Sequence, residues 1–389
     1  MNKKLKAILA ILAMSFINLA ASATSPALAT ISRNFPEAPS TAIASIATLS
    51  SLTAVPCTIL SGMIVGRKVR FRTLTALGLV ITFLGGILPV FAKSVGQILV
   101  GRAVLGIGTG LVAPIINTLV LSLFSGDDVP RQLGRNAMST NIGAVIFQLL
   151  GGYLCSYSWR MPFLAYLAVL PVLIIVLLLL PEPDRLSDAD KKRLDLRQVF
   201  TWHVVGWSLF YAAHMVFFYP FVTEMSGIVL RNQFGSATMT AIILSICTGT
   251  GVMGGYLFYR IHRACSKRTF TVGFGFCAAG YLLLILSKSA LGLLCSAAVF
   301  GMGYGLLNPT FTYYLGVPLK PELRAASLSL YHIISSIGSF GSAFILSLLR
   351  HLAGSEYERF SFLVGLLFYL ASAIAMLFPS PRSNEVRPR

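Results

Sequence analysis

The chain is 389 residues long, 56% hydrophobic and only 11% charged, with a formal net charge of +18. Soluble domains carry about 25% charged residues, so this composition excludes an ordinary soluble enzyme and points to a protein embedded in a lipid bilayer. The positive charge forms no cluster with a nucleic-acid-binding pattern, and no nucleic-acid partner is expected.

Apolar runs of about 20 residues, enough to cross about 30 Å of hydrocarbon, recur from end to end. Twelve spans are expected, centred near residues 18, 52, 82, 110, 145, 171, 213, 245, 277, 303, 336 and 368. The first has the basic start and apolar stretch of a secretory leader, but eleven more spans follow, and cleavage would leave its repeat unit one helix short. It carries Ser15, Asn18, Ser22 and Ser25 at helical spacing. A basic segment, Arg67 to Arg72, follows the second span. The fourth contains GRAVLGIGTGLVAP, with Arg102 inside an apolar, glycine-rich run.

An arginine at hydrocarbon depth costs at least a few kcal/mol unless it faces protein or a water-filled cavity. Arg102 lies about seven residues, or about 10 Å, below the outer end of its span. Two readings stand: snorkelling to the outer headgroups, or a fixed charge in a cavity that responds to a nearby titrating group. Thr109 and Asn117 share its side of the fourth span, and Asn141 and Gln148 are seven apart on the fifth.

The polar stretch PEPDRLSDADKKRLDLRQ, residues 181–198, is expected to be a cytoplasmic linker between a first bundle, 1–180, and a second, 199–389. In the seventh span Trp207, Tyr211, His214, Phe218 and Phe221 fall on one helical face. Glu224 is the one acidic residue near the interior of any span, about 37 Å along its helix and close to the membrane edge. His214 and His332 fall near mid-membrane, and a histidine can carry a proton near neutral pH. The tenth span repeats the glycine skeleton as GMGYGLLNP, with Tyr304, Asn308 and Thr312 on one side, and the eleventh carries Ser329, His332, Ser336 and Ser339. For each histidine the plainer alternative is a hydrogen-bonded interior ring, and for each stripe it is close helix packing.

The two glycine segments are 195 residues apart, half the chain, which makes the fourth and tenth spans equivalent members of two parallel six-span repeats, the plan of a secondary transporter. Ala297 stands where a second arginine would fall, and that asymmetry favours a functional charge over an architectural one. The glycines let backbones approach closely; no strand precedes them, so a nucleotide-binding loop is excluded. Of the 31 lysines and arginines, 23 lie on the segments shared with the termini, seven on the opposite side, and Arg102 on neither. The positive-inside rule then places both termini in the cytoplasm of a cell-membrane protein. The six cysteines show no metal spacing, and neither metal nor cofactor is expected.

Several motifs in this order resemble a known family. The segment Gly62-MIV-Gly66-Arg67-Lys68-Val-Arg70 is similar to a G-x-x-x-D-R-x-G-R-K gating motif, with Gly66 in place of the aspartate. Arg102, Gly106, Gly108 and Gly110 resemble R-x-x-x-G-x-G; Gly143, Gly151 and Gly152 resemble G-x-x-x-G-P-x-x-G-G, with Phe147 and Gln148 in place of Gly-Pro; and Trp159, Arg160 and Phe163 fit W-R-x-x-F. Together they are similar to the major facilitator superfamily, in particular its twelve-span drug:proton antiporters.

The resemblance implies an all-α polytopic fold of twelve helices in two six-helix pseudo-repeats. It places spans 1, 4, 5, 7, 10 and 11 around a substrate cavity, so Asn18, Ser22, Asn117, Asn141, Gln148, Trp207, Tyr211, Tyr304, Asn308 and Ser336 are candidate substrate contacts. Arg102, His214, Glu224 and His332 are candidates for proton coupling. Gly62, Gly66, Arg67 and Arg70 form a candidate cytoplasmic gate, with Asp127 and Asp128 as its partners. The implied activity is proton-coupled efflux of small amphipathic molecules by a monomer that catalyses no chemical reaction, with a small-molecule substrate, the proton and the bilayer as partners. Transport of a neutral or anionic solute is the first alternative, and a non-transporting membrane receptor the second.

Overall fold

The computed structural model describes residues 3–66, 69–124, 128–182, 200–265, 268–316, 318–319, 321–355 and 357–377. Those residues are nearly all helical, apart from an isolated bridge between Val65 and Val69. In hydrocarbon every backbone N–H and C=O must be satisfied within the chain, and helices do this locally.

Eleven helical segments are long and apolar enough to cross a membrane: Lys4–Asn34, Ser40–Ile64, Phe71–Phe91, Val95–Val120, Arg131–Cys155, Met161–Leu179, Trp202–Arg231, Ala237–Cys265, Thr269–Leu286, Ala290–Gly316 and Ser327–Leu352. A shorter apolar helix, Phe360–Ala375, is the twelfth. Large apolar side chains stay exposed along them, such as Leu84, Leu178, Leu286 and Leu367, as a lipid-facing surface requires.

The chain divides into two compact units, residues 1–192 with 222–242, and residues 193–221 with 243–389. Within the first, the second and third spans pack on the fourth, and the first packs on the fifth. Within the second, the ninth packs on the tenth and twelfth.

Two spans are broken in ways that matter below. The first runs as a helix over Lys3–Ile17, tightens to 3₁₀ over Ala20–Ala27 and resumes as Leu28–Asn34. Its small and polar residues, with Pro26 inside the 3₁₀ stretch, offer little resistance to that change of pitch. The seventh is a helix over Trp202–Thr223, with Pro220 inside it, and restarts as Met225–Arg231, with Glu224 at the junction.

The glycine skeleton does what close packing requires. A Cβ at Gly106 would strike Ser50 and Thr53 of the second span, and one at Gly110 would strike Ala54. In the second unit Gly301 sits against Cys247 and Thr250, and Gly305 against Gly251. The fifth-span glycines have the same use: Gly143 abuts the Phe16 carbonyl and Gly151 the Ala23 carbonyl.

The W-R-x-x-F segment lies beside the end of the third span. Arg160 stacks over Trp159 at 4.3 Å and donates from Nη2 to the Ala92 carbonyl at 3.1 Å, just past the third span. An R-x-x-F recurs at Arg359 and Phe362, and Arg359 Nη1 reaches the carbonyls of Leu284, Ile285 and Ser287 at 2.8 Å each. In each unit an arginine thus satisfies the orphan carbonyls where the third or ninth span ends.

Candidate functional site

In the first unit the fourth span begins at a Ser94 cap, whose hydroxyl accepts from Gln97 N–H at 3.3 Å. Arg102 lies two turns in and is wholly buried, so its guanidinium does not snorkel to the headgroups. Nε donates to the Ile46 carbonyl at 2.7 Å, Nη1 to the Tyr166 hydroxyl at 2.6 Å and Nη2 to the Ala21 carbonyl at 3.2 Å. Ala21 lies in the 3₁₀ stretch of the first span and Tyr166 in the 3₁₀ stretch Met161–Ala168 that opens the sixth. Arg102 therefore ties two irregular backbones to the second span, and no carboxylate pairs with it among the described residues.

The missing arginine at Ala297 has a packing explanation. In the first unit Tyr166 of the sixth span lies against Gly86 of the third, where a Cβ would collide with its ring. In the second unit the sizes are exchanged: position 86 plus the repeat offset of 195 is Tyr281, and its ring lies against Gly365 of the twelfth span. The Tyr281 hydroxyl donates to the Phe217 carbonyl of the seventh span. That carbonyl sits within one residue of the repeat equivalent of Ala21, so one phenol reaches the backbone that Arg102 reaches in the first unit.

The other polar candidates of the first unit split into two groups. The Ser22 hydroxyl donates to Leu19 and Ala144 carbonyls at 2.8 and 3.2 Å, and the Asn141 amide donates to the Ala137 carbonyl at 2.8 Å. These bonds satisfy the donors in place, and Ser22 fastens the first span to the fifth. Gln148 is buried. Asn18, half-buried, and Asn117, exposed, carry amides with no partner among the described residues, and so keep their donors and acceptors for a ligand. A cavity of about 530 Å³ in this unit, lined by Thr30, Arg33, Cys155, Ser156, Gln233 and Ser236 among others, contains none of the candidates.

At the gate segment, Gly66 adopts φ 71°, its N–H donates to the Val69 carbonyl at 2.9 Å, and Val69 N–H returns to Ile64 at 3.1 Å. This left-handed turn is where glycine is the least strained residue. A Cβ at Gly62 would meet open space. Arg67 and Asp127 lie outside the described residues. The Arg70 side chain is exposed and has no partner among the described residues, while Asp128 pairs with Lys4 at 3.6 Å.

The engaged residues are Arg72, at the end of the basic segment, and Glu182, which sequence reading passed over. Glu182 accepts from Phe71 N–H at 2.6 Å and from Arg72 N–H at 3.2 Å, capping the third span. Arg72 returns the favour to the sixth span, donating from Nε and Nη2 to the Leu180 carbonyl at 3.1 and 2.6 Å. Each helix end is thus capped by a charged side chain from beside the other. Glu182→Ala is expected to destabilise the protein by about 1 kcal/mol, read as a lowered thermal unfolding midpoint of the purified protein. An unchanged midpoint would show that water replaces the carboxylate at no cost.

In the second unit the seventh-span stripe faces a continuous aromatic cluster. Trp207 stacks on Phe270 at 5.2 Å, Tyr211 on Tyr331 at 4.5 Å, Phe218 on Tyr304 at 4.1 Å and Phe221 on Phe300 at 4.7 Å. His214 sits inside the cluster, wholly buried. Trp207, Phe218 and Tyr304 are only half-buried, which leaves part of each ring open. His332 is exposed, and its backbone carbonyl accepts from the hydroxyls of Ser335 and Ser336 at 2.8 and 2.9 Å. Asn308 is exposed, with a side-chain amide that has no partner among the described residues. Glu224, at the break in the seventh span and within the first unit, is half-buried.

A family model described as the Major Facilitator Superfamily matches residues 10–343. The chain is 25% identical over 319 residues to the Bacillibactin exporter of Bacillus subtilis (strain 168), covering 75% of this chain and 77% of that protein. It is 19% identical over 286 residues to the quinolone resistance protein NorA of Staphylococcus aureus (strain MSSA476), covering 70% and 72%. Among solved structures, the nucleoside transporter NupG superposes with a TM-score of 0.78 at 13% identity, over 97% of this chain and 98% of that one. A D-xylose-proton symporter does so with a TM-score of 0.72 at 14% identity, over 95% and 96%. These likenesses show a shared fold.

Proposed function

From the chain's membership of the Major Facilitator Superfamily, which makes it a membrane transporter and not an enzyme, we propose that it exports small amphipathic organic molecules from the cell in exchange for protons. The relation to two proteins named for export and for drug resistance, each across at least 70% of this chain, is the observation that carries the reading. Within the second unit the half-open rings of Trp207, Phe218 and Tyr304 with the uncommitted amide of Asn308 support it, and within the first unit the amides of Asn18 and Asn117 do so separately. Such groups hold an amphipathic ligand by dispersion and a few hydrogen bonds.

In this proposal the halves 1–180 and 199–389, joined by 181–198, give alternating access to the two sides of the cell membrane. Both termini are cytoplasmic, the protein works as a monomer, and Arg102, His214, Glu224 and His332 are the candidate coupling groups. A second reading, transport of a neutral or anionic solute, is favoured by the absence of Asp and Glu from the first six spans. A cationic substrate would find no carboxylate there to pair with.

Purified protein in liposomes, with an imposed pH gradient and a lumenal pH dye, tests the choice. Amphipathic cations, neutral sugars and carboxylates are added in turn. Proton movement driven by the amphipathic compounds is expected. Transport of any compound at equal rates with and without the gradient would remove proton coupling, and a response to sugars or carboxylates alone would select the second reading.

A further inference from the structure

Neither ring nitrogen of His214 has a hydrogen-bond partner, and the residue is 0% exposed. An imidazole always carries at least one N–H donor, and in its neutral form a lone pair as well. A position that only had to fill space would be better served by an apolar ring, because a buried donor or acceptor without a partner works against folding.

The surroundings offer a cation aromatic faces, which offset part of the cost of charging a buried ring. Six aromatic rings face His214: Tyr211 and Tyr369 at 5.6 Å between centroids, Tyr304 and Phe311 at 6.0 Å, Phe274 at 6.2 Å and Phe218 at 6.3 Å. Tyr304 and Phe311 lie nearly parallel to the imidazole, at 27° and 18°. Aromatic faces are electron-rich and attract a cation within about 6 Å. The Tyr369 hydroxyl is a second buried polar atom with no partner. Among the described residues the ionisable groups in ring contact with His214 are the phenols of Tyr211, Tyr304 and Tyr369; behind them, the Cys277 thiol of the ninth span neighbours Tyr369 and the Tyr331 phenol of the eleventh stacks on Tyr211. The seventh-span helix Trp202–Thr223 and the ninth, tenth and twelfth spans contain no Asp, Glu, Lys or Arg.

We propose that this box is a proton-binding site of the second unit. The imidazole takes one proton on its free lone pair, becomes a cation between the faces of Tyr304 and Phe311, and gives an N–H to the Tyr369 hydroxyl through a small ring rotation or one water. The inference rests on the proton-coupled reading above, and among the four coupling candidates it selects His214.

The test uses the full-length protein in lipid nanodiscs, with Trp159→Phe and Trp202→Phe leaving Trp207 as the only indole. Trp207 and His214 both contact Phe311, each at 6.0 Å, so Trp207 emission reports on the box. With His203, which faces Trp207 at 6.5 Å, replaced by Gln in the same background, titration across the pH range in which the protein stays folded is expected to show a one-proton step that His214→Phe abolishes and His332→Gln leaves in place. Tyr369→Phe is expected to move the step to lower pH by ~0.5 unit or more, since the charged form loses an acceptor. His214→Gln serves as a second variant should the phenylalanine protein fail to fold, as judged by gel filtration.

A step that is absent, or that survives loss of His214, overturns the proposal. If the substrate-driven proton movement of the liposome experiment persists in that case, the coupling reading stands without it. A His214-dependent step in a protein that moves no protons would instead uphold the site and sink the coupling.

Discussion

Replacing Arg102 with alanine is expected to destabilise the protein by at least ~3 kcal/mol, through a large buried void and the loss of donors to three buried oxygens. Those oxygens belong to Ile46, Tyr166 and Ala21. The Ile46 carbonyl lies within a regular helix and loses least, while Ala21, in the 3₁₀ stretch, loses more. Arg102→Lys keeps the charge but replaces a rigid fork by a single point donor, so it should recover less than half of the loss. Tyr166→Phe combined with Arg102→Ala should cost less than the two changes summed, because the residues share a bond. Thermal unfolding of the four proteins decides this. A wild-type midpoint for Arg102→Ala would mean that the guanidinium has no structural task, and any transport defect would then belong to its charge.

Alanine at the backbone crossings is expected to be nearly as damaging. At Gly143 the added methyl would meet the Phe16 carbonyl, and at Gly305 the Gly251 backbone. A flexible side chain can swing away from such a clash, but backbone cannot, so whole helices must separate. Overpacking of this kind costs about 1–3 kcal/mol, and the upper end applies here. Gly275→Ala is the matched control, since nothing lies within 4 Å of its added carbon. Folded yield after gel filtration should fall for the first two and hold for the third. Equal yields for all three would show that the helices have slack at their crossings.

Hydropathy locates the spans because hydrocarbon thickness imposes one length on all of them, and the 195-residue echo exposes the repeat because packing glycines tolerate no substitute. Arg102 announces itself for a related reason, as a charge out of place. Its partners were not legible. Two are backbone carbonyls, which carry no residue type, and the one at Ala21 lies in a stretch that no periodicity marks as 3₁₀. The cap formed by Glu182 was hidden because that residue begins the linker, more than a hundred positions from the helix it serves. His214 was visible as a histidine on an aromatic stripe. That its box closes with rings from the ninth, tenth and twelfth spans depends on tertiary packing that local pattern does not encode. The absence of a second arginine at Ala297 favoured a functional charge when read alone, whereas the structure supplies a packing reason through Tyr281.

The exchange of tyrosine and glycine between the halves bears on how the two copies could drift apart after duplication. Positions 86 and 166 cannot both be large, and neither can 281 and 365. A step from one arrangement to the other must therefore pass through a chain with either two small residues and a hole, or two rings and a clash. The hole is the passable route, and in the second half a chain standing at it has no phenol to hold the carbonyl at Phe217. An arginine one helix over would bridge that gap. A graft of arginine at Ala297 would arrive where the carbonyl at Phe217 is already taken.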